Sequence, residues 1–309
     1  ATPGKPRFLF APHTDTVGVK GMTIDPFGGE LRDGKIWGRG ASDTKGTMAA
    51  MLWALWELRD RIPELGAEIA FVGLMGEESG QPGSQDFAEK NRGQFDFALV
   101  GEPTELDVVH THKSCIWFEL VTAGVAAHGA TPDRGESAIL KMTPVINAID
   151  RELRPALAGY ENSVLGLPTV NIGMIKGGNR TNVVPDHCAV MVDFRETPEL
   201  ARDGGVKRLM ADLLERHGWT DRVKVNVVVD TTPLDTDPEN PFIEKLQSLG
   251  SNLTGAPWFC DAGWLAKCDI PAVACGPGSI AQAHTKDEFL AIADLDAGVD
   301  FYRRFLEIL

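Results

Sequence analysis

AEIAFVGLMGEESG, residues 67–80, is the stretch on which the reading of this chain turns. It opens as a near-continuous apolar run of strand length, the pattern of a strand buried on both faces of a sheet. The run breaks at Gly76, and two carboxylates, Glu77 and Glu78, stand side by side just beyond it. Adjacent glutamates repel, and burying either charge is costly unless a cation or a hydrogen-bonding partner compensates. Solvated turn acids are common and carry no chemistry, so the doublet alone leaves both readings open.

Working outward, RFLFAPH (7–13) and FDFALVGE (95–102) read as two more buried strands, and GMTIDPFGGELRDGKIWGRG as a Gly-rich excursion with strand character around Lys35 to Gly38. TKGTMAAMLWALWELRDRI has Met48, Met51, Leu52, Leu55, Trp56 and Ile62 near helical spacing, which predicts a helix whose methionines and tryptophans lie in the core. GSQDFAEKN reads as a short helix. Buried strands alternating with helices predict an α/β fold with a mainly parallel sheet. From Ser114 the pattern changes to strand CIWFELVTAG, helix GESAILKMTPVINAIDREL, strands PTVNIGMIKGG and HCAVMVDFRE, helix GGVKRLMADLLERHG and strand RVKVNVVVD. That β-α-β-β-α-β order is ferredoxin-like and large enough for a small domain. Helix and strand alternation then resumes, ending on a helix with Asp294 as the expected N-cap. The sequence shows no internal repeat or low-complexity segment.

At 309 residues, with 43% apolar and 24% charged content, the composition is that of a soluble globular protein. A net charge of −14 disfavours nucleic acid or an anionic membrane as partner, since both need a basic surface. Five cysteines, odd in number and without a CxxC pair, indicate neither a disulfide framework nor a thiolate zinc site; reduced thiols in a cytoplasm fit best. No apolar run reaches membrane-spanning length, and the opening ATPGKPRFLF lacks a signal-peptide pattern.

In an open parallel sheet, ligands bind beyond the carboxyl ends of the strands. The first strand ends in His13-Thr14-Asp15, the second in Glu77-Glu78 and the third in Gly101-Glu102, so three strands each deliver a histidine or carboxylate to one edge. His13 and Asp15 are two apart, which in continued strand geometry lets the Asp15 carboxylate orient the His13 imidazole. Asp43, in GRGASDTKG just before a helix, reads plainly as an N-cap; a second reading is a bridging metal ligand flanked by glycines.

HTD, GRGASDTKG, GEES, GEPT and a late AHT, in this order and spacing over nearly the whole chain, resemble the zinc-dependent M20-type peptidase and deacylase family. That family includes acetylornithine deacetylase, succinyl-diaminopimelate desuccinylase and carboxypeptidase of the G2 type. The resemblance implies a catalytic zinc-binding domain, residues 1–113 with 230–309, interrupted by a lid and dimerisation domain at 114–229, and a family segment upstream of the first strand. It implies two zinc ions, with cobalt or manganese as substitutes. One would take His13 and Glu102, the other Glu78 and His284, with Asp43 bridging both and followed by a cis peptide bond.

Glu77 would then be the general base, Asp15 a further catalytic residue through His13, and His128 a lid histidine reaching the partner subunit's site in a homodimer. Asn182 and Arg195 match positions that face the substrate; Arg180 and Lys113 are further candidates, with a solvated surface role equally open. His110, His112, His187 and His217 read as structural. Phe259-Cys260 stand before Asp261-Ala262-Gly263 where many relatives have Gly-Thr, which sets this loop apart. The implied activity is a co-catalytic dinuclear zinc amidohydrolase that cleaves an N-acyl amino acid. A metallo-dipeptidase or carboxypeptidase of the same family is the close alternative. A non-catalytic metal-binding relative is the more distant one; it predicts a lost ligand or base, and none is lost.

Overall fold

In the computed structural model, which describes residues 4–309, the apolar runs become the strands of a central sheet. The chain divides into two compact units, Ala1–His112 with Leu234–Leu309, and Lys113–Pro233. Strands β1 (Arg7–Phe10), β2 (Glu30–Arg32), β3 (Lys35–Trp37), β4 (Glu68–Phe71), β5 (Phe97–Val100) and β6 (Val108–His112) come first. The second unit carries β7 (Ile116–Ala123), β8 (Thr169–Gly177), β9 (His187–Arg195) and β10 (Val223–Asp230). The return to the first unit adds β11 (Leu234–Asp235), β12 (Leu253–Ala256), β13 (Ala272–Ala274) and β14 (Phe289–Ala291).

The first unit is built on a seven-stranded sheet in the order β11-β6-β13-β5-β1-β4, with β12 also on β6. Pairings of β1 with β4 and β5, of β5 with β13 and of β6 with β12 are parallel, whereas β11 and β13 meet β6 antiparallel. The sheet is thus mainly parallel but mixed. Successive side chains of a strand face opposite sides, and here both sides are buried. Phe8 and Phe10 pack with Met51, Tyr302 and Phe305 on one side, while Leu9 packs with Leu74, Val100 and Leu265 on the other. Two edge-on ring contacts, Phe8 with Phe305 at 5.3 Å and Phe10 with Tyr302 at 5.4 Å, lock the C-terminal helix Ile292–Ile308 onto β1.

Two expectations for the helices are corrected. The helix Lys45–Glu57 buries Thr47, Ala50, Met51 and Ala54, while Trp53 and Trp56 are 55% and 58% exposed. Small residues and one methionine make up the inward stripe, and the tryptophans fall on the opposite face. Ala291, not Asp294, is the N-cap of Ile292–Ile308; Asp294 lies in its first turn, where a negative charge suits the helix N-terminus.

The second unit is a four-stranded antiparallel sheet in the order β10-β7-β9-β8, with helices Ala138–Ala148 and Gly205–Arg216 supplying the other half of its core. Along β7, Ile116, Phe118, Leu120 and Thr122 are buried in strict alternation, and the first three pack with Met142, Val190, Val192 and Met210. Chain order is strand, helix, two strands, helix, strand. A small sheet, β14-β3-β2, belongs to the first unit. Among the described residues no helix is long and apolar enough to cross a membrane.

Candidate metal centre

Beyond β1 the chain continues through Ala11-Pro12 to His13, which forms a parallel bridge with Leu74 just past β4. These neighbouring strand ends therefore bring His13 and the Glu77-Glu78 turn together. Gly76 makes that turn: its φ is +76°, and a Cβ there would lie 2.8 Å from the Pro82 ring. The turn is held from outside by Asp15, whose carboxylate accepts the backbone N–H of Gly76 at 2.9 Å and of Glu77 and Glu78 at 3.1 Å.

That role corrects the expectation for Asp15. His13 Nδ1 lies 3.0 Å from the backbone carbonyl oxygen of Asp15 and 3.6 Å from its carboxylate. The carboxylate is already committed to the turn's N–H groups, so the imidazole is oriented by the main chain. Nδ1–H donating to that carbonyl makes Nε2, once it sheds its proton, the ring atom that could bind a metal.

Nε2 of His13 is 3.0 Å from Asp43 Oδ1. The other Asp43 oxygen, Oδ2, is 3.4 Å from Nε2 of His284, and that nitrogen is 3.0 Å from Glu78 Oε2. Asp43 thus faces two histidines with two different oxygens. Ligand atoms of His13, Asp43 and Glu102 lie within 4.8 Å of one another, as do those of Asp43, Glu78 and His284 and those of His13, Glu77 and Glu78.

The N-cap of the following helix is Thr44, without a side-chain cap bond, so Asp43 does not cap it. Its peptide bond to Thr44 is cis, and the Thr44 hydroxyl donates to the Gly101 carbonyl at 2.6 Å, tying this loop to the end of β5 beside Glu102.

Burial sets the electrostatics. Glu77, Glu102 and Asp43 are 8%, 5% and 7% exposed. Burial, followed by the charges of Asp261, Glu78 and Asp43, pushes the Glu77 carboxyl well up, and burial with Asp43 and Glu77 does the same to Glu102. Burial pulls the His13 imidazole down, but its hydrogen bond and charge interaction with Asp43 outweigh that and leave it raised. His284 is raised by its bond to Glu78.

Glu102 Oε1 is buried with no hydrogen-bond partner. A buried, crowded carboxylate with an orphaned oxygen fits a divalent cation, and nitrogen and carboxylate donors without thiolate suit zinc or a similar ion. The residues present therefore fit the metal pair that the sequence resemblance implies.

Three residues of this region have a place that the sequence did not assign. Glu288, fully buried, accepts the N–H groups of Ser42 and Asp43 at 2.8 Å and of Gly40 at 2.9 Å, and pairs with Arg39 at 2.7 Å. It stands four residues after His284, so one segment supplies a candidate ligand and clamps the loop of another. Asp261, also fully buried, accepts from Ser84 at 2.5 Å, leaves its second oxygen without a partner, and is pushed up to about 6 by burial. Gln81 donates to Glu77 at 3.2 Å.

The remaining predicted residues belong to the second unit. The backbone of His128 bridges that of Val183, and Gly129 N–H donates to the Asn182 carbonyl at 2.8 Å, so His128 and Asn182 share one exposed corner with Arg180. Ala130 N–H donates to His128 Nδ1 at 3.1 Å, which leaves the ring proton on Nε2. Arg195 is paired with Asp193 at 3.1 Å. Lys113 is not solvated: it is 6% exposed, its amine donates to the Leu167 carbonyl at 2.6 Å, and burial lowers its pKa. All five cysteines are free and buried.

The profile of peptidase family M20/M25/M40 matches residues 9–308. Solved structures with the same fold include an M20 family metallo-carboxypeptidase from Sulfolobus solfataricus, 20% identical, with a TM-score of 0.80 over 100% of this chain and 86% of that one. A tripeptidase from Staphylococcus aureus is 24% identical, with a TM-score of 0.76 over 100% and 82%. A dinuclear metal-binding peptidase of the M20 family from Bacillus subtilis is 18% identical, with a TM-score of 0.69 over 98% and 81%. A whole-chain family match over this fold, with a cluster of histidines and carboxylates at the sheet edge, makes the chain a member of peptidase family M20/M25/M40, and so a metal-dependent hydrolase of peptide or amide bonds.

Proposed function

We propose that the protein is a dinuclear zinc amidohydrolase that releases the amino acid from an N-acyl amino acid. The observation that carries the two-metal reading is the arrangement of Asp43, with one oxygen toward His13 and the other toward His284. His13 and Glu102 would hold one ion, Glu78 and His284 the other, and Asp43 both. Such a pair supplies Lewis acidity at the scissile carbonyl and lowers the pKa of water.

Glu77 is the general base. It sits beside the ligand Glu78, and its raised proton affinity suits a group that takes a proton and returns it to the leaving amine. His128 is the donor to the oxyanion; its Nε2–H is free to serve because Nδ1 is already an acceptor. Asn182, Arg180 and Arg195 are the candidates for the substrate carboxylate, which a guanidinium can clamp with two hydrogen bonds. The unit Lys113–Pro233 is a lid through which two chains form a homodimer. Five reduced, buried thiols support a cytoplasmic location.

A second reading, a metallo-dipeptidase or carboxypeptidase, is favoured by the peptidases among the structures of the same fold. Turnover of N-acetyl and N-succinyl amino acids against dipeptides, assayed on protein loaded with Zn²⁺, separates the two. Hydrolysis of dipeptides alone rejects the deacylase reading. Elemental analysis giving one tightly held ion per chain rejects the dinuclear site.

A further inference from the structure

The turn that carries Glu77 and Glu78 runs into the helix Pro82–Lys90 through Gln81, a fully buried residue in the left-handed region at φ +61°. A buried amide needs partners for both of its ends. Trp264 Nε1 donates to Gln81 Oε1 at 3.1 Å, and Gln81 Nε2 donates to Glu77 Oε1 at 3.2 Å. An indole N–H can only donate, so Trp264 can face only the amide oxygen, and the NH₂ is thereby turned toward Glu77. Flipping the amide would set donor against donor at Trp264 and oxygen against carboxylate at Glu77. A second link, Ser84 to Asp261, joins the same two elements, because Asp261 immediately precedes the helix Ala262–Lys267 that carries Trp264.

Glu77 needs this restraint. His13, Glu77 and Glu78 are themselves a group within metal-binding reach, so an unrestrained Glu77 could be drawn into coordination and would cease to be a free base. We infer that Gln81, its amide oriented by Trp264, is a positioning residue that holds one oxygen of Glu77 and keeps this carboxylate a proton carrier instead of a ligand. This rests on the reading of Glu77 as the base.

The test is a double-mutant cycle on zinc-loaded protein. Gln81→Gly removes the amide and accepts the left-handed backbone, and it is compared at equal folded fraction. It should lower kcat about tenfold with KM and bound zinc unchanged, since a hydrogen bond to a charged group is lost. Trp264→Phe alone should lower kcat by about threefold, and in the Gln81→Gly background it should add nothing, because its effect passes through Gln81. Losses that multiply independently, an unchanged kcat in Gln81→Gly, or loss of zinc in that variant would each overturn the inference. Glu77→Ala keeps the two ideas apart. If it is inactive while Gln81→Gly is normal, only the positioning role fails; if it retains activity, the base assignment fails and the positioning role with it.

Discussion

At the scale of single residues, the two adjacent glutamates have opposite surroundings. Glu78 faces His284, whereas Glu77 is more deeply buried and faces Gln81. Removing the proposed base but no proposed ligand should separate metal content from turnover. Glu77→Ala is expected to keep its metal and lose activity by about 10²–10⁴-fold, checked by elemental analysis beside steady-state kinetics. Glu102→Ala removes a proposed ligand instead and should lower metal stoichiometry together with activity; full metal content in that variant would reject the ligand role. That His13, Glu78 and Glu102 would converge was legible, because a parallel sheet gathers its strand ends at one edge. Which atom of Asp15 meets His13 was not. Carbonyl and carboxylate of the same residue are equally near in sequence, and only the three N–H groups of the Glu77 turn decide between them.

At the scale of elements, the segment from His284 to β14 does two jobs. Glu288 gathers three backbone N–H groups of the Asp43 loop with the Arg39 guanidinium. Glu288→Gln keeps the shape but replaces one acceptor oxygen by a donor, facing groups that only donate. It should weaken metal binding by about tenfold or more, as loss of a supporting partner of a ligand does, read as chelator competition at equal folded fraction. Metal affinity equal to that of the unaltered protein would reduce the clamp to a loop brace. Strand and helix identities were legible from apolar periodicity, and so was the change of pattern at Ser114. The exposed tryptophans of Lys45–Glu57 were not, because an apolar residue at helical spacing does not say which neighbour packs on it; here alanine, threonine and one methionine meet the sheet. Glu288 gave no signal because its partners, three main-chain N–H groups and Arg39, lie far away along the chain.

At the scale of the whole molecule, the crowded carboxyls make stability depend on pH. Glu77, Glu102 and Asp261 are all raised, mainly by burial. A raised carboxyl holds its proton more tightly in the folded than in the unfolded chain. Its contribution is therefore whole below the ordinary carboxyl range and is lost as pH rises, through about 6 for Asp261. His13 and His284, also raised, act in the same direction at higher pH. Metal binding runs the other way, because ligands must shed protons to bind. The gap in Tm between zinc-loaded and chelator-treated protein should thus widen from about pH 5.5 to about pH 8, as measured by differential scanning fluorimetry. A gap that narrows over that range would show that these groups are not the ones the ion stabilises.

The pairing of β6 with β11 has one more consequence. Leu234 lies directly opposite His112, so the chain leaves the first unit and re-enters it on the same rung of one antiparallel ladder. The interruption is therefore a cassette mounted on a ready-made hairpin stem, and the stem would accept a different cap. Replacing residues 113–233 with an Asn-Gly turn should leave a miniature that folds cooperatively, since such a dipeptide closes neighbouring antiparallel strands. A miniature that binds zinc yet turns over no substrate would make the two units separable modules of one enzyme.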